Sequence, residues 1–178
     1  MTEITNTLSL PLPWQESIWS EFTQYIYTDR LPHAILLSGP SGIGKGRLAI
    51  ALAERLLCGS ESRDYACGIC KSCTLLNAGS HPDLFPISIP EKSKNISIDE
   101  IRKLSSVISK TAQQGGRKVA IINPAEALNI NASNALLKSL EEPQGKTVLI
   151  LVAHRPTLLS ATIRSRCQII QLTPPSCE

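Results

Sequence analysis

The stretch His33-Ala-Ile-Leu-Leu-Ser-Gly39-Pro-Ser-Gly-Ile-Gly44-Lys45-Gly46 decides how this 178-residue chain is read. An apolar run at residues 34–37 passes into a glycine-rich turn, and residues 45–57 then carry helical periodicity. The spacing is that of a phosphate loop, G-x-x-x-x-G-K-[S/T]. Its glycines let successive backbone N–H groups turn inward around a phosphate, its lysine meets the charge, and its hydroxyl holds magnesium. Gly39, Gly42, Gly44 and Lys45 are in place, but Gly46 stands where the hydroxyl belongs. Strand, loop and helix occur in the required order, with the positive end of the helix facing the loop. An α/β phosphate-loop fold is therefore expected, while Gly46 makes ATP binding doubtful.

Composition narrows the class. With 42% hydrophobic and 19% charged residues the chain can bury a sizeable core, as one globular domain or one with a small appendage. A net charge of +3 without a long Lys/Arg run reads as a mixed, solvated surface and does not by itself argue for DNA binding. No apolar run approaches the roughly 18 residues needed to span a bilayer, and the N-terminus lacks the pattern of a secretion signal. A soluble cytoplasmic protein without membrane contact is expected.

In a reducing compartment, clustered cysteines point to a metal rather than to disulfides. Cys58, Cys67, Cys70 and Cys73 form overlapping C-x-x-C pairs with one outlier, and Gly68 relieves the tight turn. Four thiolates close a tetrahedral sphere and leave no position for water, which describes a structural zinc site stapling an excursion at residues 58–73. The same spacing is compatible with an iron–sulfur cluster or with unmetallated thiols, and His81 is close enough to compete as a ligand.

Elsewhere, residues 1–12 read as a poorly structured lead-in. Trp14, Ile18, Trp19, Phe22 and Ile26 make a helical stripe to about Thr28, with both tryptophans expected in the core. Residues 83–89 form a strand that Pro86 assigns to a sheet edge. Ser97 and Glu100 match a capping box opening a helix to about Gln113, and Gly115-Gly116 breaks the chain. Strands are expected at residues 118–122, 147–153 and 168–172, and a helix runs from about Ala132 to Pro143. After the third strand a phosphate-loop ATPase needs a carboxylate for magnesium and a base for water. This chain reads Asn123-Pro124, and Glu126 falls in the next turn, pointing elsewhere.

Residues 39–45, the cysteine knuckle, Lys118-Val-Ala-Ile-Ile122, Asn134-Ala-Leu-Leu-Lys-Ser-Leu-Glu-Glu-Pro143 and Ser165-Arg166-Cys167 together resemble the clamp-loader branch of the AAA+ family. The likeness is closest to its delta-prime members and covers residues 10–173. It implies a three-layer α/β sandwich with a five-stranded parallel sheet and a zinc-knuckle insertion. By the same likeness residues 1–173 are the AAA+ domain, and residues 174–178 open a linker toward lid and collar domains. Implied partners are the gamma/tau and delta subunits of the DNA polymerase III clamp loader, with primed DNA and the sliding clamp reached through the assembled complex. Without a collar, the isolated domain should be a monomer.

The resemblance further implies that Arg166 is an arginine finger acting in trans on a neighbour's ATP. A surface arginine paired with a carboxylate is the competing reading, and Arg164 is the lesser candidate for the role. Gly46, Asn123, Pro124 and Ala153-His154 all depart from the ATPase pattern, the last pair replacing a polar sensor. A non-hydrolysing subunit is expected, with a gamma/tau-like ATPase as the alternative. A small-molecule phosphotransferase would need an arginine-bearing lid. A DNA-binding zinc ribbon would want more than Arg63, Tyr65 and Lys71 around its cysteines.

Overall fold

A computed structural model describes residues 8–60, 64–114 and 116–175. Gly115 and Arg63, and the outer parts of the expected lead-in and linker, lie outside the described residues.

Five short strands form one parallel sheet: β1 (Ala34–Ser38), β2 (Leu84–Ile87), β3 (Lys118–Ile122), β4 (Thr147–Ala153) and β5 (Gln168–Gln171), in the order β2-β3-β4-β1-β5. The three inner strands are buried along their whole length, as continuous aliphatic runs in a parallel sheet require. Successive residues face opposite ways. Ile35, Leu37, Val119, Ile121, Val148 and Ile150 enter one core with Trp19, Phe22, Leu48 and Leu52. Leu36, Ala120, Ile122, Leu149 and Leu151 enter the other with Ile101, Leu104, Leu136 and Leu140. The first core is closed by α1 (Glu16–Tyr27) and α2 (Lys45–Leu57), the second by α4 (Ile98–Ile108), α5 (Ile130–Glu141) and the short α6 (Ala161–Arg164). This is the expected three-layer sandwich. Between α2 and β2 lies α3 (Lys71–Asn77).

Pro86 does sit in an edge strand, β2. Glu100 reaches back to the Ser97 backbone N–H (2.6 Å) and hydroxyl (3.0 Å), the predicted device at the head of α4. That helix ends at Ile108 rather than near Gln113 because Lys118, almost fully buried, turns its ammonium onto the carbonyls of Val107 and Lys110. Asn129 accepts from the N–H of Ala132 at 2.7 Å and starts α5 two residues earlier than expected. Only one tryptophan is core. Trp19 is buried, whereas Trp14 belongs to a 3-10 turn (Pro13–Gln15) ahead of α1, is 40% exposed, and donates its Nε1–H to the Ile43 carbonyl.

The described part of the lead-in, residues 8–12, is ordered rather than poorly structured, because its apolar side chains and backbone groups find partners in the fold. Leu8 is buried beside the cysteines, and Leu12 and Gln15 lie against the glycine-rich turn.

Candidate functional site

The glycine-rich turn leaves the C-terminal end of β1, with Gly39, Gly42 and Gly44 at φ values of 147°, 84° and 82°. A Cβ at Gly39 would stand 2.4 Å from the Leu172 carbonyl oxygen, which leaves that position no room for a side chain; one at Gly44, where φ is also left-handed, would push the Leu12 side chain aside at 2.3 Å. Gln15, fully buried, joins Trp14 in donating to the Ile43 carbonyl, and the Nε–H of Arg47 holds the Leu10 carbonyl at 2.8 Å. Residues 10–15 are thus strapped across the turn. In the sequence, Pro13 followed by Gln15 was the available signal: the Gln15 side chain accepts from the Leu12 N–H at 2.9 Å and fixes the strap's bend.

Lys45 begins α2 and is 2% exposed. Its ammonium donates to the Pro40 carbonyl of the same turn. Burial lowers its pKa, and the Glu126 carboxylate opposes that shift. One residue on, a Cβ at Gly46 would come 3.1 Å from Asn123 Nδ2. The position lacking a magnesium hydroxyl and the position lacking a magnesium carboxylate are therefore neighbours in space.

Glu126 is more engaged than the sequence suggested. Its Oε1 accepts from the backbone N–H groups of His154 (3.0 Å) and Arg155 (3.2 Å), tying the turn after β3 to the end of β4. Its other oxygen, Oε2, is buried and has no hydrogen-bond partner among the described residues.

Arg166 lies at the other end of the molecule. Gln168 pairs with Ile35, so Arg166, two residues earlier, is level with the start of β1, while the glycine-rich turn follows its end. At about 3.3 Å per residue the length of β1 separates them by ~15 Å. The guanidinium makes a 2.6 Å ion pair with Glu141 at the end of α5 and donates to the Thr162 carbonyl at 3.0 Å. Its side chain remains one-third exposed. Cys167, packed against the second core, has its pKa pushed up to about 11 by burial, so it is an inert thiol.

The four predicted cysteines converge, their Sγ atoms all within 4.8 Å of one another. The Cys58–Cys70 and Cys67–Cys73 separations are 4.0 and 3.9 Å. Thiolates at ~2.3 Å from a tetrahedral zinc would be ~3.8 Å apart, so the set fits such an ion closely. Cys58 comes from the end of α2, Cys73 from the first turn of α3, and Gly68 takes φ 75° between them. Backbone N–H groups of Ser60 and Cys67 point at Cys58 Sγ, that of Cys70 at Cys67, and that of Cys73 at Cys70, at 3.3 to 3.4 Å.

For Cys67, burial raises the pKa, but the N–H groups of Ile69 and Cys70 and the neighbouring thiols outweigh it and bring the value to about 6. Burial pushes Cys58 and Cys73 upward. His81 is not among these ligands. It is buried elsewhere, accepting the Asp83 N–H on Nδ1. Tyr65, one of the few aromatic residues near the cysteines, is stacked on Trp19 with centroids 5.3 Å apart.

A family model described as DNA polymerase III, delta subunit, matches residues 14–176. The chain belongs to this DNA polymerase III family. Curated relatives named DNA polymerase III subunit delta' include one from Pseudomonas aeruginosa, 51% identical over 87% of this chain and 46% of its own length. Another, from Escherichia coli, is 37% identical over 92% of this chain and 49% of its own length. The chain thus spans about half the length of the delta-prime relatives it matches. Among solved structures, a DNA polymerase III gamma subunit-related protein from Thermotoga maritima superposes with a TM-score of 0.66 at 24% identity, over 88% of this chain and 46% of that one. The RuvB Holliday junction branch migration motor of the same organism gives 0.53 at 20%, over 88% of this chain and 43% of that one. These likenesses carry the fold alone, and it is that of the phosphate-loop AAA+ proteins.

Proposed function

We propose that this delta-prime-family chain is the AAA+ part of a clamp-loader subunit that performs no hydrolysis and contributes Arg166 to the ATP site of a neighbouring subunit. The observation that carries the reading is the closeness of Gly46 and Asn123, whose Nδ2 would lie 3.1 Å from a Cβ at position 46. Two magnesium-side groups are missing at one point in space, and Pro124, beside them, offers no base. The Arg166 role rests on position: a guanidinium at the far end of the sheet cannot serve this chain's own loop, but its partial exposure lets it reach another subunit. Arginine at a developing phosphoryl charge is worth about 10³ to 10⁵ in rate.

The four cysteines hold a structural zinc, supported by their separations and by the N–H groups that favour thiolate. The residues would hold the metal and it would fix the short excursion, with no open position for chemistry. Residues 1–173 form the AAA+ domain and residues 174–178 open a linker. The partners are gamma/tau and delta subunits in the cytoplasm, with primed DNA and the sliding clamp met through the assembled loader.

A loader reconstituted with full-length subunit tests this. Arg166→Ala should lower DNA-stimulated ATP turnover at least about tenfold. Glu141→Ala, which cuts the ion pair but keeps the guanidinium, should leave turnover near normal. An unchanged rate in Arg166→Ala, or equal losses in both variants, would remove the finger. The 178-residue chain alone should release phosphate from ATP and magnesium no faster than buffer; measurable turnover would favour a gamma/tau-like ATPase.

A further inference from the structure

Before Arg166 can touch a neighbour's nucleotide it must part from a carboxylate of its own chain. Its Nη2 lies 2.6 Å from Glu141 Oε1, and its Nη1 donates to the Thr162 carbonyl at 3.0 Å. Both terminal nitrogens are engaged at home. A phosphoryl oxygen approaching Nη2 would meet the Glu141 charge beside it, so the two anions compete for one guanidinium.

The surroundings of the pair decide which part gives way. Thr162 offers a backbone carbonyl inside α6, a turn that Ser160 caps by accepting the Ile163 N–H at 3.3 Å and that the fully buried Ile163 anchors. The backbone of Arg166 is held too, its N–H donating to the Ile163 carbonyl at 3.1 Å. The end of α5 is pinned at Leu140, which is buried and whose carbonyl accepts from His33 Nε2 at 2.9 Å. That leaves the Glu141 side chain, half exposed on the last residue of the helix, as the part free to swing away.

Glu141 also stands in a poor place for a carboxylate. The C-terminal end of a helix carries partial negative charge on its unpaired carbonyls, which disfavours acids there. Two acids, Glu141 and the capping residue Glu142, nevertheless close α5, and Arg166 is the cation paired with Glu141. A single carboxylate, half in water, holds a guanidinium weakly. A terminal phosphate brings more charge and more acceptor oxygens, and it wins the exchange.

We propose, on the reading that Arg166 acts on a neighbour's ATP, that Glu141 is a positioning residue that keeps the guanidinium on its own subunit until the neighbour's terminal phosphate displaces it. Engaging the arginine then includes breaking this ion pair, which weakens ATP binding at that junction without slowing the step that follows.

A loader reconstituted with full-length subunit tests this through the dependence of DNA-stimulated turnover on ATP concentration. Glu141→Gln, similar in shape but uncharged, should lower KM for ATP about two- to threefold, the size of one half-exposed ion pair, with kcat within about twofold of the parent. The shift should vanish when Glu141→Gln is combined with Arg166→Ala, since no guanidinium is left to hold. Glu142→Gln, which removes the neighbouring charge, should leave KM unchanged. An unaltered KM in Glu141→Gln would overturn the proposal, as would an equal shift in the Arg166→Ala background or in Glu142→Gln. Turnover that Arg166→Ala fails to lower would overturn the role of Arg166 itself, and this proposal with it; a loss in Arg166→Ala beside an unaltered KM in Glu141→Gln would overturn the role of Glu141 alone.

Discussion

Gly46 and Asn123 constrain each other, because any side chain at position 46 grows toward Asn123 Nδ2 at 3.1 Å. Restoring one group should not restore chemistry. Gly46→Ser is expected to change stability by no more than about 1 kcal/mol and to leave phosphate release at background, since Pro124 still provides no base. Asp83 makes the opposite kind of prediction. It is 1% exposed and is the acceptor for two backbone N–H groups, so Asp83→Ala should cost about 2 kcal/mol, read as a fall of roughly 4–8 °C in Tm. Glu54 gives a pH dependence. Burial raises its pKa above the usual carboxylate range, opposed by the Ser9 N–H at 2.6 Å. The folded state therefore keeps this proton to higher pH than the unfolded chain, so stability falls as pH rises from about the unfolded value through the raised folded one. Glu54→Gln, which retains an acceptor for Ser9, should flatten that slope and raise Tm at neutral pH in thermal melts recorded across the acid range.

Among the elements, the strands were the most legible, because a strand buried on both faces is spelled as an unbroken aliphatic run and a phosphate loop demands a strand before it and a helix after it. The cysteine spacing was equally readable, since four ligands for one ion need only local turns. What the chain hides are features that depend on distant partners. The short α3 begins between Cys70 and Cys73 and has no apolar stripe long enough to announce itself. The strap at residues 10–15 is fixed by Ile43 and by the missing side chain of Gly44, neither of which is local to it. Glu126 looked idle because its partners, the N–H groups of His154 and Arg155, belong to another strand's end. The cysteine excursion carries its own prediction. Tyr65 lies on Trp19 of α1, coupling the cysteine excursion to the first core. Native mass spectrometry should find one zinc per chain, lost in Cys70→Ser. Chelation should shift the fluorescence of Trp19 to longer wavelength, a change absent from Trp19→Phe, in which the exposed Trp14 alone reports. A metal-free chain of equal stability would contradict the zinc assignment.

For the molecule as a whole, the sheet order could not be read from any single segment, because β1 is inserted between β4 and β5, its last two partners in sequence. Sedimentation of the 178-residue chain should give a monomer at micromolar concentration; a stable dimer would mean that a face described here as exposed is normally covered. The register of β5 against β1 has a further consequence. Because every strand runs the same way, the turn that would meet a nucleotide and the arginine that would touch one emerge from opposite ends of the same sheet. No flexing of loops can bring them together without unpairing β1 from β5. On the proposed role of Arg166, a domain built like this offers its loop at one end and its arginine at the other, so a stack of such domains would be polar, each junction made of two unlike faces.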